Sequence, residues 1–340
     1  MPRRPASSPP AASASATTAP AAAWPFALPA DLPAADVQRL RERVSAAADA
    51  AQYGWGHTID FGAFVQPGLL GSKYLELAGL LDAWDWWPQD LTGKAVADVG
   101  AFTGGLSLLL AGRGASVVHA VDEVPEHLAQ CALLAEAFGV ETVRPVEATL
   151  YDLTAHIEPG SLDVVLLAGV LYHLSDMLVG LAVCARLLKP GGVLVVESNA
   201  VECFEHSYAN FGRYFEGMWW QPTGLAIQDM SELSGFERAD VRFYKPGRAL
   251  ARMVKPEGSR VPFKRGVNLD FADLRDEVQR TRDSGLMAPA PDRHADAALV
   301  RRVAARVGDR AFRRSLEVGY KAARTLRTKK AERQARRPGT

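Results

Sequence analysis

An acid set directly before a run of glycines constrains this chain more than any other stretch of it. Val96-Ala97-Asp98-Val99 follows a short apolar run, and Gly100-Ala101-Phe102-Thr103-Gly104-Gly105 then opens into the amphipathic Leu106 to Gly112. Strand, glycine turn and helix in that order read as the first unit of a parallel α/β sheet. The glycines let backbone approach a ligand, and the helix start offers N–H donors and the positive end of a dipole. The order differs from the fingerprint that cradles a pyrophosphate. Asp98 precedes the first glycine, and Phe102 stands where a second, closely spaced glycine would relieve crowding. A carboxylate there repels phosphate and suits an ammonium or a hydroxyl.

The residues that follow repeat the pattern. Ala115 to Val121 is β-branched and apolar and ends in Asp122 and Glu123. Asp122 lies about 20 residues beyond the glycines, the spacing that sets an acid against a ribose hydroxyl. Pro125 to Phe138 reads as a helix with Leu128, Cys131, Leu134 and Ala135 toward the sheet, and Glu141 to Glu147 as a third strand closed by Tyr151 and Asp152. Leu162 to Ala168 is continuously apolar, as a parallel strand buried on both faces must be. Gly169, Tyr172 and His173 therefore fall at the carboxyl end of a central strand, where open α/β sheets take their ligands. Met177 to Leu188 reads as the next helix, Lys189-Pro190-Gly191-Gly192 as its stop signal and Val193 to Glu197 as the fifth strand. Phe236 to Tyr244 and Ala249 to Val254 read as a closing antiparallel hairpin.

With these residues in place, the chain resembles the class I S-adenosylmethionine-dependent methyltransferases over roughly residues 53 to 254. The resemblance rests on Asp98 to Gly105, Asp122, Asp152 and the apolar Leu162 to Gly169 as a set. It implies a Rossmann-like α/β fold: a mostly parallel seven-stranded sheet with a terminal antiparallel hairpin, here carrying helical N- and C-terminal extensions. It also implies S-adenosyl-L-methionine as cofactor, bound through Asp98, Gly100, Ala101, Phe102, Thr103, Gly104, Asp122, Glu123, Tyr151, Asp152 and Gly169. Asp152 would accept from the adenine amino group; the alternative for it is a plain helix N-cap. Within the class, Ala168 to Leu174 (AGVLYHL) and Met218 to Pro222 (MWWQP) resemble the bacterial tRNA wobble-uridine methoxy and carboxymethoxy synthases. Members of that group have a lysine in a comparable helix before the glycine turn, meeting the extra carboxylate of a modified cofactor. Lys73 is the residue here that could take that part, although its distance from Asp98 departs from their pattern.

Outside this core the chain is uneven. Residues 1–23 are Ala, Ser, Thr and Pro with few large apolar groups, and read as a disordered tail. Residues 24–92 read as a helical and lid segment. Leu32, Val37, Leu40 and Val44 give a helical period over 31 to 52. The Gly- and aromatic-rich Tyr53 to Gly68 reads as a loop or short hairpin, either a lid holding ligand through Trp55, His57 and Asp60 or a capping loop that fills a groove. A helix over Ser72 to Leu81 precedes Trp84, Trp86 and Trp87, which serve either as an apolar anchor or as a stacking platform. The domain proper is assigned to 93–255, with an irregular, substrate-facing aromatic insertion at 199–221. Glu202, His206, Tyr208, Asn210, Arg213 and Tyr214 are its candidate acceptor contacts, and Trp219 and Trp220 either stack on a planar acceptor or anchor the loop. Residues 256–340 read as a helical, basic extension in a chain whose 39 basic and 39 acidic residues balance. Such an extension either holds RNA phosphates or lies solvated on an acidic surface. Cys131, Cys184 and Cys203 are few, odd in number and without metal-type spacing, so free thiols and a cytoplasmic protein are expected. No apolar run approaches the length of a membrane span, and no metal site is expected.

Methyl transfer from a sulfonium requires alignment of the acceptor and, for a hydroxyl or amine, removal of a proton. Tyr172 and His173 are the candidate catalytic residues, with His173 either a general base or a structural donor. The leading expectation is methyl transfer to O or N of a small-molecule acceptor. A tRNA wobble-uridine (carboxy)methyl transferase and a non-catalytic cofactor-binding module are the alternatives.

Overall fold

A computed structural model describes residues 19–211 and 218–258. Its centre is a seven-stranded sheet of β3 (Ala95–Val99), β4 (Val117–Asp122), β5 (Val143–Glu147), β6 (Leu162–Ala168), β7 (Leu188–Asn199), β10 (Asp240–Lys245) and β11 (Arg248–Val254). The spatial order is β10-β11-β7-β6-β3-β4-β5. The pairs among β3, β4, β5, β6 and β7 are parallel, while β11 runs antiparallel to both β7 and β10. Two short antiparallel pairs lie outside it, β1 (Ile59–Asp60) with β2 (Val65–Gln66) and β8 (Ala209–Phe211) with β9 (Trp220–Pro222). The helices are α1 (Ala34–Ala50), α2 (Lys73–Ala83), α3 (Gly105–Gly112), α4 (Pro125–Ala137), α5 (Met177–Leu187) and α6 (Gly224–Leu233).

This order follows from chain chemistry. From β3 the chain steps outward through α3 to β4 and through α4 to β5, then returns past β3 to β6 and steps the other way through α5 to β7. Right-handed crossovers put helices made in opposite directions on opposite faces. Accordingly α2, α3 and α4 pack together with α1 on α4, and α5 packs with α6. Covered on both sides, β6 buries Val164, Val165, Leu166 and Leu167 almost completely. Truncating such a leucine to alanine costs about 2–5 kcal/mol. The helix starts α5 and α6 are side-chain capped, Asp176 accepting from the Val179 N–H and Thr223 from the Ala226 N–H. The reversal between β3 and β6 leaves a crevice at their carboxyl ends.

Several expectations need correction. Residues 19–23 belong to the ordered body: the Ala22 N–H donates to Leu75 O at 2.9 Å, and Pro20 passes so close to Gly79 of α2 that a Cβ there would overlap its carbonyl. Residues 1–18 lie outside the described residues. Lys189 to Gly192 does not separate helix from strand. Strand β7 begins at Leu188, paired with Leu162, and absorbs the Pro-Gly-Gly as an irregularity in register before Val193 pairs with Val164. The insertion at 199–221 contains regular structure, the β8–β9 pair, because alternate polar and aromatic residues on each side can form a two-strand ribbon. Arg213 and Tyr214, and the helices expected beyond 258 with their basic residues, lie outside the described residues. Trp86 and Trp87 are buried, and the Arg113 and Arg242 guanidinium groups lie over the three Trp rings. They pack the start of the sheet, as the anchor alternative has it.

Candidate functional site at the carboxyl edge of the sheet

The glycine turn is held from inside the protein. Gly100 (φ 76°) and Gly104 (φ 77°) take the left-handed conformation, and so does Phe102 (φ 53°). A Cβ at Gly100 would overlap Val170, and one at Gly104 would overlap Cys131, so neither position tolerates a side chain. Left-handed backbone costs a non-glycine residue about 1–2 kcal/mol. Asp122 offsets it: its Oδ2 accepts from the Phe102 N–H at 2.9 Å, and its Oδ1 accepts from the Val124 N–H at 3.0 Å with His127 Nδ1 at 3.1 Å. Asp122 therefore fastens the end of β4 to the turn, a role its spacing alone did not disclose. Next to it, Glu123 is exposed at the rim.

Two backbone donors at the start of α3 are also engaged. Asp98, 2% exposed, accepts from Ser107 Oγ at 2.6 Å and from the Ser107 N–H. His57 Nδ1 faces the Gly105 N–H at 3.3 Å. Two of the N–H groups at the helix start, those of Gly105 and Ser107, are therefore taken by protein groups. Burial lifts the Asp98 carboxyl to about 6; the Ser107 hydrogen bond pulls it down and the Asp122 carboxylate pushes it up. No cationic side chain pairs with Asp98 among the described residues. A buried acid without a counter-ion fits a ligand that brings its own positive charge, such as an amino-acid ammonium.

Across the crevice, Gly169 (φ 77°) ends β6 and has no side chain to block it. The Tyr172 hydroxyl and Glu197 Oε2 stand about Gly169, at 3.6 and 4.0 Å from where a Cβ would be. Glu197 is 5% exposed. It accepts from the Tyr244 hydroxyl at 2.6 Å and from Arg248 Nε at 2.6 Å, and Arg248 Nη2 pairs with its other oxygen. The Arg248 guanidinium also lies 5.1 Å from the Tyr172 ring centre. Burial alone would lower the Arg248 pKa, but the Glu197 carboxylate outweighs it and holds the guanidinium firmly charged. Burial and then Glu197 push the Tyr244 phenol well above its ordinary range. Sequence reasoning missed Glu197, Tyr244 and Arg248. A visible signal existed, since Glu197 is the single acid at the carboxyl end of the apolar run Val193 to Val196. His173 follows on the exposed side, its ring 4.2 Å from that of Tyr172.

The third wall comes from the turn after β5. Residues Leu150–Ala155 form a 3-10 helix in whose first turn Asp152 sits, its Oδ2 accepting from Thr149 Oγ1 at 2.8 Å; the N-cap position belongs to Thr149. The Tyr151 hydroxyl accepts from the Asp176 N–H at 2.9 Å and donates to its carbonyl at 3.1 Å, tying this wall to the start of α5. Above the crevice, the Trp219 N–H donates to Tyr172 O at 2.9 Å, and Gln221 Nε2 donates to Asn199 Oδ1 at 3.0 Å. The β8–β9 ribbon is thereby fixed directly over Tyr172. Its Phe211 and Trp219 rings stack with centres 6.3 Å apart, and Phe211 is 65% exposed. Glu202 and His206 precede the ribbon, and Asn210 within it meets Gln221 at 3.5 Å. All three cysteines are free, with Cys131 pushed up to about 12 by burial. No group of residues able to hold a metal ion occurs among the described residues, and no described helix is long and apolar enough to cross a membrane.

Comparison with known proteins agrees with this geometry. Residues 97–196 match a family described as a methyltransferase domain. The ubiquinone biosynthesis O-methyltransferase of Xylella fastidiosa (strain M23) is 31% identical over 48% of this chain and 70% of its own length. The corresponding protein of Xanthomonas euvesicatoria is 32% identical over 48% and 72%. Among solved structures, the 1,6-didemethyltoxoflavin-N1-methyltransferase of Burkholderia thailandensis covers 67% of this chain and 92% of its own at 19% identity and a TM-score of 0.44. The alternative of a non-catalytic module gives way to an enzyme. With its acid-glycine turn, its two further carboxylates and its sheet order, the chain belongs to the class I methyltransferases, enzymes that take their methyl group from S-adenosyl-L-methionine.

Proposed function

We propose that the enzyme transfers the methyl group to an oxygen or nitrogen of a small, planar acceptor held beneath the β8–β9 ribbon. The observation that carries this reading is the backbone bond from Trp219 to Tyr172. It hangs exposed aromatic rings over the one sheet edge where the glycine turn and Gly169 meet. The relatives named for ubiquinone biosynthesis are O-methyltransferases, which favours a hydroxyl as the acceptor group.

When bound, the cofactor supplies an electrophilic methyl carbon. Asp98 would hold the cofactor's ammonium, Asp122 and Glu123 its ribose edge and Asp152 its adenine, while Gly100 and Gly169 leave room for its sulfur. Tyr172 would fix the acceptor's approach, its position set by Arg248 and Glu197. His173, at the open rim, would take the proton from the acceptor hydroxyl and pass it to solvent. Incubation with methyl-labelled S-adenosylmethionine and a panel of phenols, catechols and aromatic amines tests the reading. Label is expected in a planar hydroxylated acceptor, and its absence from every planar acceptor alongside transfer to tRNA would contradict it.

That second outcome corresponds to the wobble-uridine reading, which one observation favours. Lys245 has its pKa lowered by burial and by Arg248 and Lys73, while Glu197 and Glu76 act the other way. Arg248 lies over the Tyr172 ring and Lys245 over that of Tyr244, cationic groups that would suit a cofactor with an extra carboxylate. Native mass spectrometry of the purified enzyme separates the two: S-adenosylmethionine supports the small-molecule reading, and a cofactor heavier by a carboxylate supports the tRNA reading.

A further inference from the structure

The segment from Gly54 to Gly71 is built as a closed strap. The Leu69 N–H donates to Trp55 O at 2.8 Å, the Leu70 N–H to Gly56 O at 2.8 Å and the Thr58 N–H to Gly71 O at 2.9 Å. Thr58 Oγ1 accepts from the Gly68 N–H at 2.9 Å, and the Tyr74 hydroxyl of α2 donates to Thr58 O at 3.2 Å. This strap lies on the cofactor turn so closely that a Cβ at Gly56 would overlap the Phe102 ring. At its centre is His57, 8% exposed, between the rings of Tyr74 at 5.0 Å and Phe102 at 5.7 Å.

His57 and Thr103 hold one another reciprocally. The His57 backbone N–H donates to Thr103 Oγ1 at 2.9 Å, and the same hydroxyl lies 2.9 Å from His57 Nδ1. The Gly105 N–H reaches that nitrogen too, and an amide N–H can only donate. Nδ1 must therefore be the unprotonated, accepting nitrogen, and the ring is the neutral tautomer with its proton on Nε2. A neutral acceptor at the positive end of a helix is electrostatically favourable where an imidazolium would not be.

We infer that His57 is a positioning residue for methyl transfer: it sets the Phe102–Gly105 turn in its cofactor-binding shape and couples occupancy of the turn to closure of the 54–71 strap. The turn's unusual residue, Phe102, is gripped on one side by Asp122 and on the other by the strap through Gly56 and His57. Release of His57 would free the Gly105 N–H and the Thr103 hydroxyl together, and the turn would lose the support on its outer side.

This inference rests on the cofactor occupying the glycine turn, and calorimetric titration with S-adenosylhomocysteine tests the two separately. In His57→Leu, affinity should fall by about 10- to 100-fold, and amide deuterium exchange at Thr103 to Gly105 and across 54–71 should rise. His57→Asn places a carbonyl oxygen near the Nδ1 position and should restore affinity to within about threefold of wild type. A role in stability alone would lower melting temperature in both variants without this split. Thr103→Val, nearly isosteric, should weaken binding in the same direction and keeps the inference open to refutation should His57→Leu not fold. Wild-type affinity in folded His57→Leu or in Thr103→Val, or equal losses in the Leu and Asn variants, would overturn it. Asp98→Asn is the control: if it loses affinity while His57→Leu does not, the cofactor site stands and this inference alone fails.

Discussion

The two walls of the crevice are built on different terms. On the cofactor side, each unusual backbone conformation is tied down by a buried group: Phe102 by Asp122, the start of α3 by Asp98 and His57, and Gly104 by the body of Cys131. On the side proposed for the acceptor, a three-residue strand pair and the residues flanking it expose Phe211, Tyr208 and Trp219 and are attached through a few bonds to Tyr172, Ser175 and Asn199. This enzyme is thus free to vary on one side of the crevice and not on the other. The wall proposed for the cofactor is over-determined, whereas the wall proposed for the acceptor is a light attachment whose side chains can change without disturbing the sheet.

The largest expected effect lies at the seam between the walls. If His173 removes the acceptor's proton, His173→Asn should lower turnover by about 10² or more with cofactor affinity nearly intact. Tyr172→Phe should lower it too, with a normal melting temperature. Unchanged turnover in both variants, measured with an identified acceptor, would move the chemistry onto the ribbon and blur the division drawn here.

Asp98 comes next. Asp98→Asn should weaken S-adenosylhomocysteine binding by about 30- to 100-fold, since a charge-assisted hydrogen bond to the ligand's ammonium is lost. The sign of its pH dependence is fixed by the raised carboxyl, near 6 in the free enzyme. The ammonium favours the ionised acid, so binding below that value must expel a proton. Affinity should fall by up to about tenfold per pH unit as pH drops below 6, and stay level above 7. A flat profile in calorimetry between pH 5 and 7 would detach Asp98 from the ligand.

For Asp122→Ala, the structure changes what is expected. Loss of a ribose contact alone would weaken binding by about 1–3 kcal/mol and leave the melting temperature unmoved. Because Asp122 also holds the Phe102 and Val124 N–H groups, unfolding free energy should fall by about 1–3 kcal/mol as well. Chemical denaturation and calorimetry on one variant read both, and a loss in only one assigns Asp122 to only one role.

The smallest effect on the cofactor should come from the ribbon. Phe211→Ala should leave S-adenosylhomocysteine affinity within about twofold while raising the KM for a planar acceptor by about 5- to 20-fold. A shift in cofactor affinity as large as that in acceptor KM would show that the two walls are not separable.

Much of the cofactor wall was legible in the chain itself. The strand, glycine turn and helix around Asp98 and the apolar strand Leu162 to Ala168 are local pattern, set by neighbours in sequence. What stayed hidden depends on distant partners. The Glu197–Arg248 pair joins residues 51 positions apart through the register of β7 and β11, and His57 meets Gly105 across 48 positions. The spacing of Asp122 points to a ribose, but its bonds to the turn follow from backbone geometry that spacing does not encode. Pro190 and the two glycines after it are breakers in sequence, which hides the start of β7, yet the end of an inner strand carries them as a register irregularity.

The most direct test of the account is a crystal structure of the enzyme with S-adenosylhomocysteine. The ligand's sulfur is expected between the Gly100 turn and the Tyr172 ring, its ammonium within hydrogen-bonding reach of Asp98, its adenine beside Asp152, and the 54–71 strap closed with His57 against Gly105. A ligand lying away from the glycine turn, or one seated there with its ammonium remote from Asp98, would contradict it.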